Sequence, residues 1–92
     1  MKKVRAQVYI SGEVTGVGYR YWAVVNAEKL GLVGFVRNAD RGLVEAVFEG
    51  NEEKVKEMIA RCKKGPQVSY VKKVEVKSEE ATGEFLDFEV RY

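Results

Sequence analysis

The stretch Gly12–Arg20 constrains the fold most, because it places three glycines within seven residues between two different periodic patterns. Before it, apolar and polar residues alternate, which is typical of a half-buried strand. After it, apolar residues recur at helical spacing. Glycine adopts dihedrals that other residues avoid and lets a ligand approach the backbone closely. A glycine-rich turn at the start of a helix directs several free N–H groups at one point, and this arrangement favours an anion.

We therefore interpret this stretch as a phosphate-binding loop, with the residues Glu13, Val14, Thr15, Gly16, Val17, Gly18 and Tyr19. Arg20 follows directly and carries a permanent charge on a planar fork of donors that suits phosphate. Because the positive end of a helix disfavours a cation, an arginine at this place indicates a nearby anion. The alternatives are a tight turn without function and a solvated surface arginine. The lysine of a P-loop and the third glycine of a dinucleotide-binding fingerprint are both missing.

The remaining patterns follow the order β-α-β-β-α-β, with one further strand at the end. They predict strands over 3–11, 32–37, 43–49, 71–77 and 85–92, and helices over 20–30 and 51–64. Asn51 is positioned to cap the second helix, and Gly65 and Pro66 are positioned to end it. This order predicts an α+β fold with one sheet and both helices on one face. We expect residues 1–92 to form a single domain.

Asn38 is a second candidate site residue, because it ends the second strand as the glycine loop ends the first. We expect these two strands to pair in parallel, which would place Asn38 beside the loop at one edge of the sheet. An amide there can hold a water by donating and accepting hydrogen bonds. The alternative is a turn-forming role, which is common for asparagine.

Missing residue types narrow the chemistry. The chain has no histidine, the commonest general base, and its only cysteine, Cys62, falls on the apolar stripe of the second helix. We therefore expect neither a zinc site nor covalent catalysis. An anion-binding loop, Arg20, Asn38 and water suit a phosphoryl group whose leaving group departs without protonation. A carboxylate departs in this way, so an acyl phosphate is the natural candidate substrate.

Two motifs resemble those of the acylphosphatase family. Gly12–Arg20 is similar to the first family motif, Gly-x-Val-Gln-Gly-Val-x-Phe-Arg. Gly34–Asn38, followed by Gly42, Val44 and Gly50, matches the second motif at every fixed position. The order and spacing of the two motifs also agree with the family, and the resemblance covers the whole chain.

The resemblance implies a ferredoxin-like β-α-β-β-α-β sandwich with a mostly antiparallel sheet. It implies hydrolysis of acyl phosphates to a carboxylate and phosphate, without a metal or other cofactor. It also implies that Arg20 and the loop amides bind the phosphate and that Asn38 orients the attacking water. Thr15 stands where the family usually has Gln, and Tyr19 where it usually has Phe. We expect activity to survive both departures.

The overall charge and hydropathy bear on partners and location. A net charge of +2 is too balanced to indicate a nucleic-acid binder, and no apolar run is long enough to span a membrane. We expect a cytoplasmic monomer whose partners are a small acyl phosphate and phosphate, with no nucleic acid and no membrane. One alternative is an RNA-binding module that uses Tyr9 on an open sheet face. Another is an accessory domain like that of the hydrogenase-maturation carbamoyltransferases.

Overall fold

The computed structural model describes residues 2–92. Its elements are β1 (Lys3–Glu13), α1 (Tyr19–Lys29), β2 (Val33–Asn38), a 3₁₀ turn (Asp40–Gly42), β3 (Val44–Asn51), α2 (Glu52–Lys64), β4 (Tyr70–Glu80) and β5 (Phe88–Arg91). The strands form one sheet in the order β4-β1-β3-β2-β5. All neighbours are antiparallel except β2 and β5, which are parallel. The predicted α+β, ferredoxin-like arrangement is confirmed, with β5 as the additional strand.

The predicted pairing of β1 with β2 is wrong. β3 lies between them and is antiparallel to both. The short 3₁₀ turn makes β3 the antiparallel neighbour of β2. Because residues 44–49 of β3 are buried on both faces of the sheet, this strand suits the central position. β1 and β2 still run in the same direction, so their C-terminal ends reach the same end of the sheet.

Two strand boundaries differ from the prediction for a structural reason. β1 continues past Ser11, because a bulge between Ser11 and Gly12 brings the end of the strand into register with Val71 and Tyr70 of β4. β4 extends to Glu80, through residues expected to form a turn, because they pair with the start of β1. The glycine loop therefore leaves the sheet two residues later than predicted and is anchored against β4 on one side.

The core lies between the helices and one face of the sheet. Its buried side chains include Ala6, Val8 and Ile10 of β1, Ala23 and Ala27 of α1, and Val55, Met58 and Cys62 of α2. These are the residues that the strand alternation and helical spacing predict to face inward. The predicted cap of α2 is also confirmed, since the Asn51 Oδ1 accepts a hydrogen bond of 3.0 Å from the Glu53 N–H.

Tyr19 connects the start of α1 to the end of α2. Its side chain is 1% exposed, and its hydroxyl donates a 2.7 Å hydrogen bond to the Cys62 carbonyl. That carbonyl belongs to the last turn of α2, where carbonyls lack intrahelical partners. Burial raises the pKa of Tyr19 above its usual value, so the hydroxyl remains a donor. The contact fixes the position of the helix start that follows the glycine loop.

Residues 81–87 cross the sheet face that the helices leave open, because β4 and β5 lie at opposite edges. Glu49 on this face is 4% exposed, and its carboxylate accepts hydrogen bonds from the N–H groups of Thr82 (2.6 Å) and Gly83 (3.2 Å). The Phe85 ring lies 6.1 Å from the Phe35 ring. The crossing explains why β5 begins at residue 88, three residues later than predicted.

Tyr19→Phe should lower the free energy of unfolding by about 1–3 kcal/mol, because it leaves the buried Cys62 carbonyl without a partner. Guanidinium denaturation measures the change. Tyr21→Phe is the matched control, since the Tyr21 side chain is 74% exposed, and it should leave stability unchanged. Equal stability of Tyr19→Phe and the wild type would show that the hydroxyl contributes nothing to the fold.

Glu49→Ala should destabilise the fold by about 1–3 kcal/mol, because two backbone N–H groups lose their acceptor. Faster amide hydrogen exchange at Thr82 and Gly83 is the specific signature. Glu49→Gln retains one acceptor oxygen and should lose less. Glu80→Ala, at an exposed position, serves as the control. Unchanged exchange at both amides in Glu49→Ala would contradict the anchoring role.

Candidate active site

A cleft of about 260 Å³ opens near the end of the sheet where β1 and β2 finish. It is formed by residues of the glycine loop, the first turn of α1 and the ends of β2 and β5, namely Val14, Gly16, Gly18, Tyr19, Arg20, Tyr21, Asn38, Val90 and Tyr92. A larger groove of about 690 Å³ lies between α2, the start of β1 and the end of β4. None of the predicted site residues lines that groove, so we place the site in the smaller cleft.

The backbone of the glycine loop is shaped by two left-handed glycines. Gly16 has φ 73° and Gly18 has φ 78°. A Cβ at either position would meet no atom within 4 Å, so the backbone conformation, and not the space available, explains the glycines. Left-handed residues within a loop turn neighbouring N–H groups toward a common concavity that attracts anions.

The N-terminus of α1 has no cap. The first helical hydrogen bond runs from the Trp22 N–H to the Gly18 carbonyl at 3.0 Å, and the first turn contains no acidic residue. The N–H groups of residues 19–21 precede that bond, and no backbone acceptor for them is found within residues 2–92. By contrast, α2 begins with the Asn51 cap and two glutamates. The positive end of α1 is therefore left open to an anion.

Arg20 brings a cation to this cleft that no carboxylate of residues 2–92 neutralises. Its guanidinium carbon lies 5.3 Å from the centre of the Tyr92 ring, a cation–π contact that orients the side chain. Four other arginines do form ion pairs with glutamates, namely Arg5, Arg37, Arg61 and Arg91. The charge of Arg20 is thus available to a ligand in the cleft.

Asn38 ends β2 with its backbone held and its side chain free. It lies opposite Val44 in the β2–β3 hairpin, and its carbonyl accepts a 3.3 Å hydrogen bond from the Arg37 Nη1. The Asn38 side chain is exposed and makes no hydrogen bond within the described part of the chain. An amide in this state can bind a water or a ligand oxygen.

A buried carboxylate on the open face supports the end of β2. Glu45 is 8% exposed and accepts hydrogen bonds from Arg37 Nε (2.6 Å), Gln7 Nε2 (2.8 Å) and the Tyr9 hydroxyl (3.1 Å). Burial alone would raise the pKa of Glu45, but the three donors outweigh it and hold the pKa below its usual value. The ionised carboxylate fixes Arg37, which in turn contacts the Asn38 carbonyl.

The predicted site residues divide into two groups. Those that line the cleft are Val14, Gly16, Gly18, Tyr19, Arg20 and Asn38. Glu13 instead pairs with Tyr70 at the end of β1, Thr15 is exposed, and Val17 packs against the core. The roles assigned to all of these residues stay predictions.

Sequence reasoning missed the contribution of the chain's last residues. Val90 and Tyr92 line the cleft because β5 pairs in parallel with β2, with Arg37 opposite Arg91. The alternating pattern marked a terminal strand but carried no signal for its neighbour. Tyr21 was missed as well, because it lies outside the apolar stripe of α1.

Other reactive groups lie away from the cleft. Cys62 is 0% exposed, and burial raises its pKa to about 12, so it stays a thiol. Within residues 2–92, no three acidic or cysteine side chains are arranged to hold a metal ion. The predicted absence of a metal stays a prediction. No helix in the described part of the chain is long and apolar enough to cross a membrane.

Comparison with known proteins gives a consistent result. The family model "Acylphosphatase" matches residues 6–90. An acylphosphatase of Syntrophobacter fumaroxidans is 48% identical over 92 residues, which cover 100% of this chain and 95% of the relative. One from Moorella thermoacetica is 48% identical over 84 residues, covering 91% of this chain and 90% of the relative.

Solved structures agree. The crystal structure of acylphosphatase from Bacillus subtilis superposes with a TM-score of 0.93 at 30% identity, covering 97% of this chain and 99% of that one. A full-length HypF structure, in a phosphate- and nucleotide-bound form, matches with a TM-score of 0.89 at 30% identity. The match covers 99% of this chain but 12% of HypF. From its motifs, fold and relatives, this chain belongs to the acylphosphatase family, enzymes that hydrolyse acyl phosphates.

Proposed function

We propose that the chain hydrolyses acyl phosphates in the cleft by direct attack of a water on phosphorus, without a covalent intermediate. The observation that carries the proposal is the convergence of three features in one cleft. These are an uncapped helix start, an arginine without an ion-pair partner and a free asparagine amide. None of the three has a hydrogen-bond or ion-pair partner within residues 2–92. Together they can bind a phosphoryl group and a water.

The glycine loop and the first turn of α1 bind the phosphoryl oxygens in this mechanism. The free N–H groups of residues 19–21 donate to the oxygens, and the helix dipole adds a favourable field. Arg20 supplies the full positive charge, with two parallel donors that suit a phosphate edge. Because these groups are already in place, they stabilise charge that develops on the equatorial oxygens during transfer.

Asn38 orients the nucleophile. Its side-chain oxygen accepts a hydrogen bond from the water while its NH₂ group donates to a phosphoryl oxygen, which aligns the water with the scissile bond. The Arg37–Glu45 ion pair holds the end of β2 so that this amide keeps its position. No general acid is needed, since the carboxylate leaving group departs without a proton, and the proton of the attacking water passes to a phosphoryl oxygen of the product phosphate.

The lining of the cleft favours direct hydrolysis over a phosphoenzyme. It contains neither serine, threonine nor cysteine, and the chain has no histidine to activate such a group or the hydroxyls of Tyr19, Tyr21 and Tyr92. The sole cysteine is enclosed by the core. Water is therefore the nucleophile that the cleft can accommodate.

The open sheet face argues against the RNA-binding alternative. Residues 81–87 cover part of this face, and the hydroxyl of Tyr9 is bonded to the Glu45 carboxylate. A negative charge beside the only aromatic of β1 repels a nucleic-acid backbone. The predicted cytoplasmic location has no further support here and stays a prediction.

Two substitutions should separate phosphate binding from water positioning. Arg20→Ala should reduce kcat/KM by about 10²–10³-fold and weaken competitive inhibition by phosphate. Asn38→Ala should lower kcat by a similar factor and weaken phosphate inhibition much less than Arg20→Ala does, because phosphate loses one neutral hydrogen bond and keeps the Arg20 charge. Arg41→Ala, at an exposed arginine of the adjacent turn, is the control. Benzoyl phosphate hydrolysis in chelator measures all three, and wild-type turnover in either cleft variant would contradict its role.

The stereochemistry at phosphorus should distinguish direct attack from a covalent route. A single in-line displacement inverts the configuration at phosphorus when an acyl thiophosphate made chiral with ¹⁸O is hydrolysed in ¹⁷O-labelled water to chiral thiophosphate, whereas a phosphoenzyme gives net retention through two displacements. We expect inversion, measured by ³¹P NMR of the product. Retention would rule out direct attack by water while leaving membership of the family intact.

A further inference from the structure

β4 presents a long unpaired edge. It has eleven residues and pairs with β1 on one side only, whereas the opposite edge strand, β5, has four residues. Within residues 2–92 no strand pairs with the outer side of β4. Such an edge offers a row of N–H and C=O groups to another strand. Val76 at its middle is 42% exposed although it lies opposite Val8, on the core face of the sheet.

The charges along this edge balance. Between residues 72 and 80 the charged residues are Lys72, Lys73, Lys77, Glu75, Glu79 and Glu80, and all are exposed. Lysines on an edge usually repel a second copy. Here lysines and glutamates are equal in number, so two copies of the edge carry no net repulsion.

The order of these charges is complementary to itself. If a second β4 lies antiparallel with Val76 opposite Val76, then Lys72 faces Glu80, and Lys73 faces Glu79. In the same register Glu75 faces Lys77. Two-fold symmetry repeats each pair, so every charged residue between 72 and 80 meets an opposite charge. Opposite charges directly across strands stabilise the pairing.

Neighbouring registers lack this property. With Glu75 opposite Glu75, Lys73 would also face Lys77. With Lys77 opposite Lys77, Glu75 would face Glu79. Like charges directly opposite destabilise a strand pair, so the charge pattern selects the register centred on Val76. Three of these residues already form ion pairs within one copy: Lys73 with Glu75 at 3.0 Å in an exposed position, and Glu79 with Arg5 at the long distance of 3.6 Å. We expect the contacts across the two strands to add to these pairs without replacing them.

We propose that two copies of this chain associate reversibly through antiparallel pairing of β4, with Val76 at the two-fold axis. Residues that face each other across the strands lie on the same side of the sheet, so the two sheets join into one with all helices on one face. A C₂ contact of this kind closes on itself and does not propagate. None of the residues that line the candidate cleft belongs to β4, so each copy keeps a complete cleft.

The association should be weak. One strand pair buries less surface than the roughly 1,600 Å² of a standard stable interface, so we expect a Kd on the order of 10–100 µM. At the lower concentrations of an activity assay, the monomer expected from the sequence remains the main species. The dimer becomes populated at high concentration and low salt, where unscreened charge pairs contribute most.

Sedimentation velocity over about 1 µM to 1 mM tests the proposal. The wild type should approach twice the monomer mass of 10.4 kDa at high concentration. Glu75→Lys places two lysines opposite each other and should weaken dimerisation at least about tenfold. The double variant Glu75→Lys/Lys77→Glu restores complementarity and should restore dimerisation. Glu28→Lys, the same charge change on an exposed position of α1, should have no such effect.

Disulfide trapping tests the register. Val76→Cys should form a covalent dimer in a glutathione redox buffer, because the two residues meet at the axis. Glu75→Cys should not, because it faces residue 77 on the opposite sheet face from Val76. The native Cys62 is fully buried and should not compete. Preferential crosslinking of Glu75→Cys would overturn the register, and circular dichroism checks that each variant is folded.

A peptide of residues 70–80 distinguishes self-association from a general affinity for strands. It should perturb the NMR signals of β4 amides more than a scrambled peptide of the same composition. Equal perturbation by both peptides would overturn the self-complementary edge. So would a wild type that stays monomeric at 1 mM and low salt, or a Glu75→Lys variant that dimerises as well as the wild type.

Discussion

The open N-terminus of α1 is the constraint on which the site depends. A helix start without a cap leaves N–H groups unsatisfied, and an arginine beside it adds positive charge to a positive end. Neither arrangement stabilises the unliganded fold, so the rest of the structure must hold them in place. Tyr19 does this by bonding the Cys62 carbonyl, and the bulged end of β1 anchors the loop against β4. In our proposal, a bound anion supplies the hydrogen-bond acceptors and the negative charge that the chain itself does not provide.

Sheet topology places this helix start in the candidate cleft together with Asn38 and Tyr92. β3, inserted between β1 and β2, makes both run in one direction, so the glycine loop and Asn38 reach the same end of the sheet. β5 adds in parallel to β2 and brings Tyr92 beside Arg20. On the opposite face, the buried Glu45 fixes Arg37 against the end of β2. The cleft is thus supported from the core side and from the open face.

The two edges and the open face of the sheet differ in how their backbone polar groups and charged side chains find partners. Residues 81–87 cross the open face, and the Glu49 carboxylate accepts hydrogen bonds from two backbone N–H groups of this segment. β5 is short, which limits what its edge can pair with. β4 is long and carries charges that match a second copy of itself. The groups that hold the fold and those that we propose for association therefore lie apart from the cleft.

The sequence alone determined the element order and most of the inward-facing residues, because each follows from local periodicity or capping chemistry. The two halves of the candidate site follow from glycine spacing and the strand ends, and their roles stay predictions. Asn51 as a cap and Cys62 as a core residue are of this kind. The antiparallel pairing of β2 with β3 also follows from the short turn between them. Only the tertiary structure decided the other neighbours, because that pairing depends on contacts between distant segments and leaves no local pattern. For that reason the β1–β2 pairing was predicted wrongly, and the burial of Glu45 and the place of Tyr92 in the cleft were not foreseen.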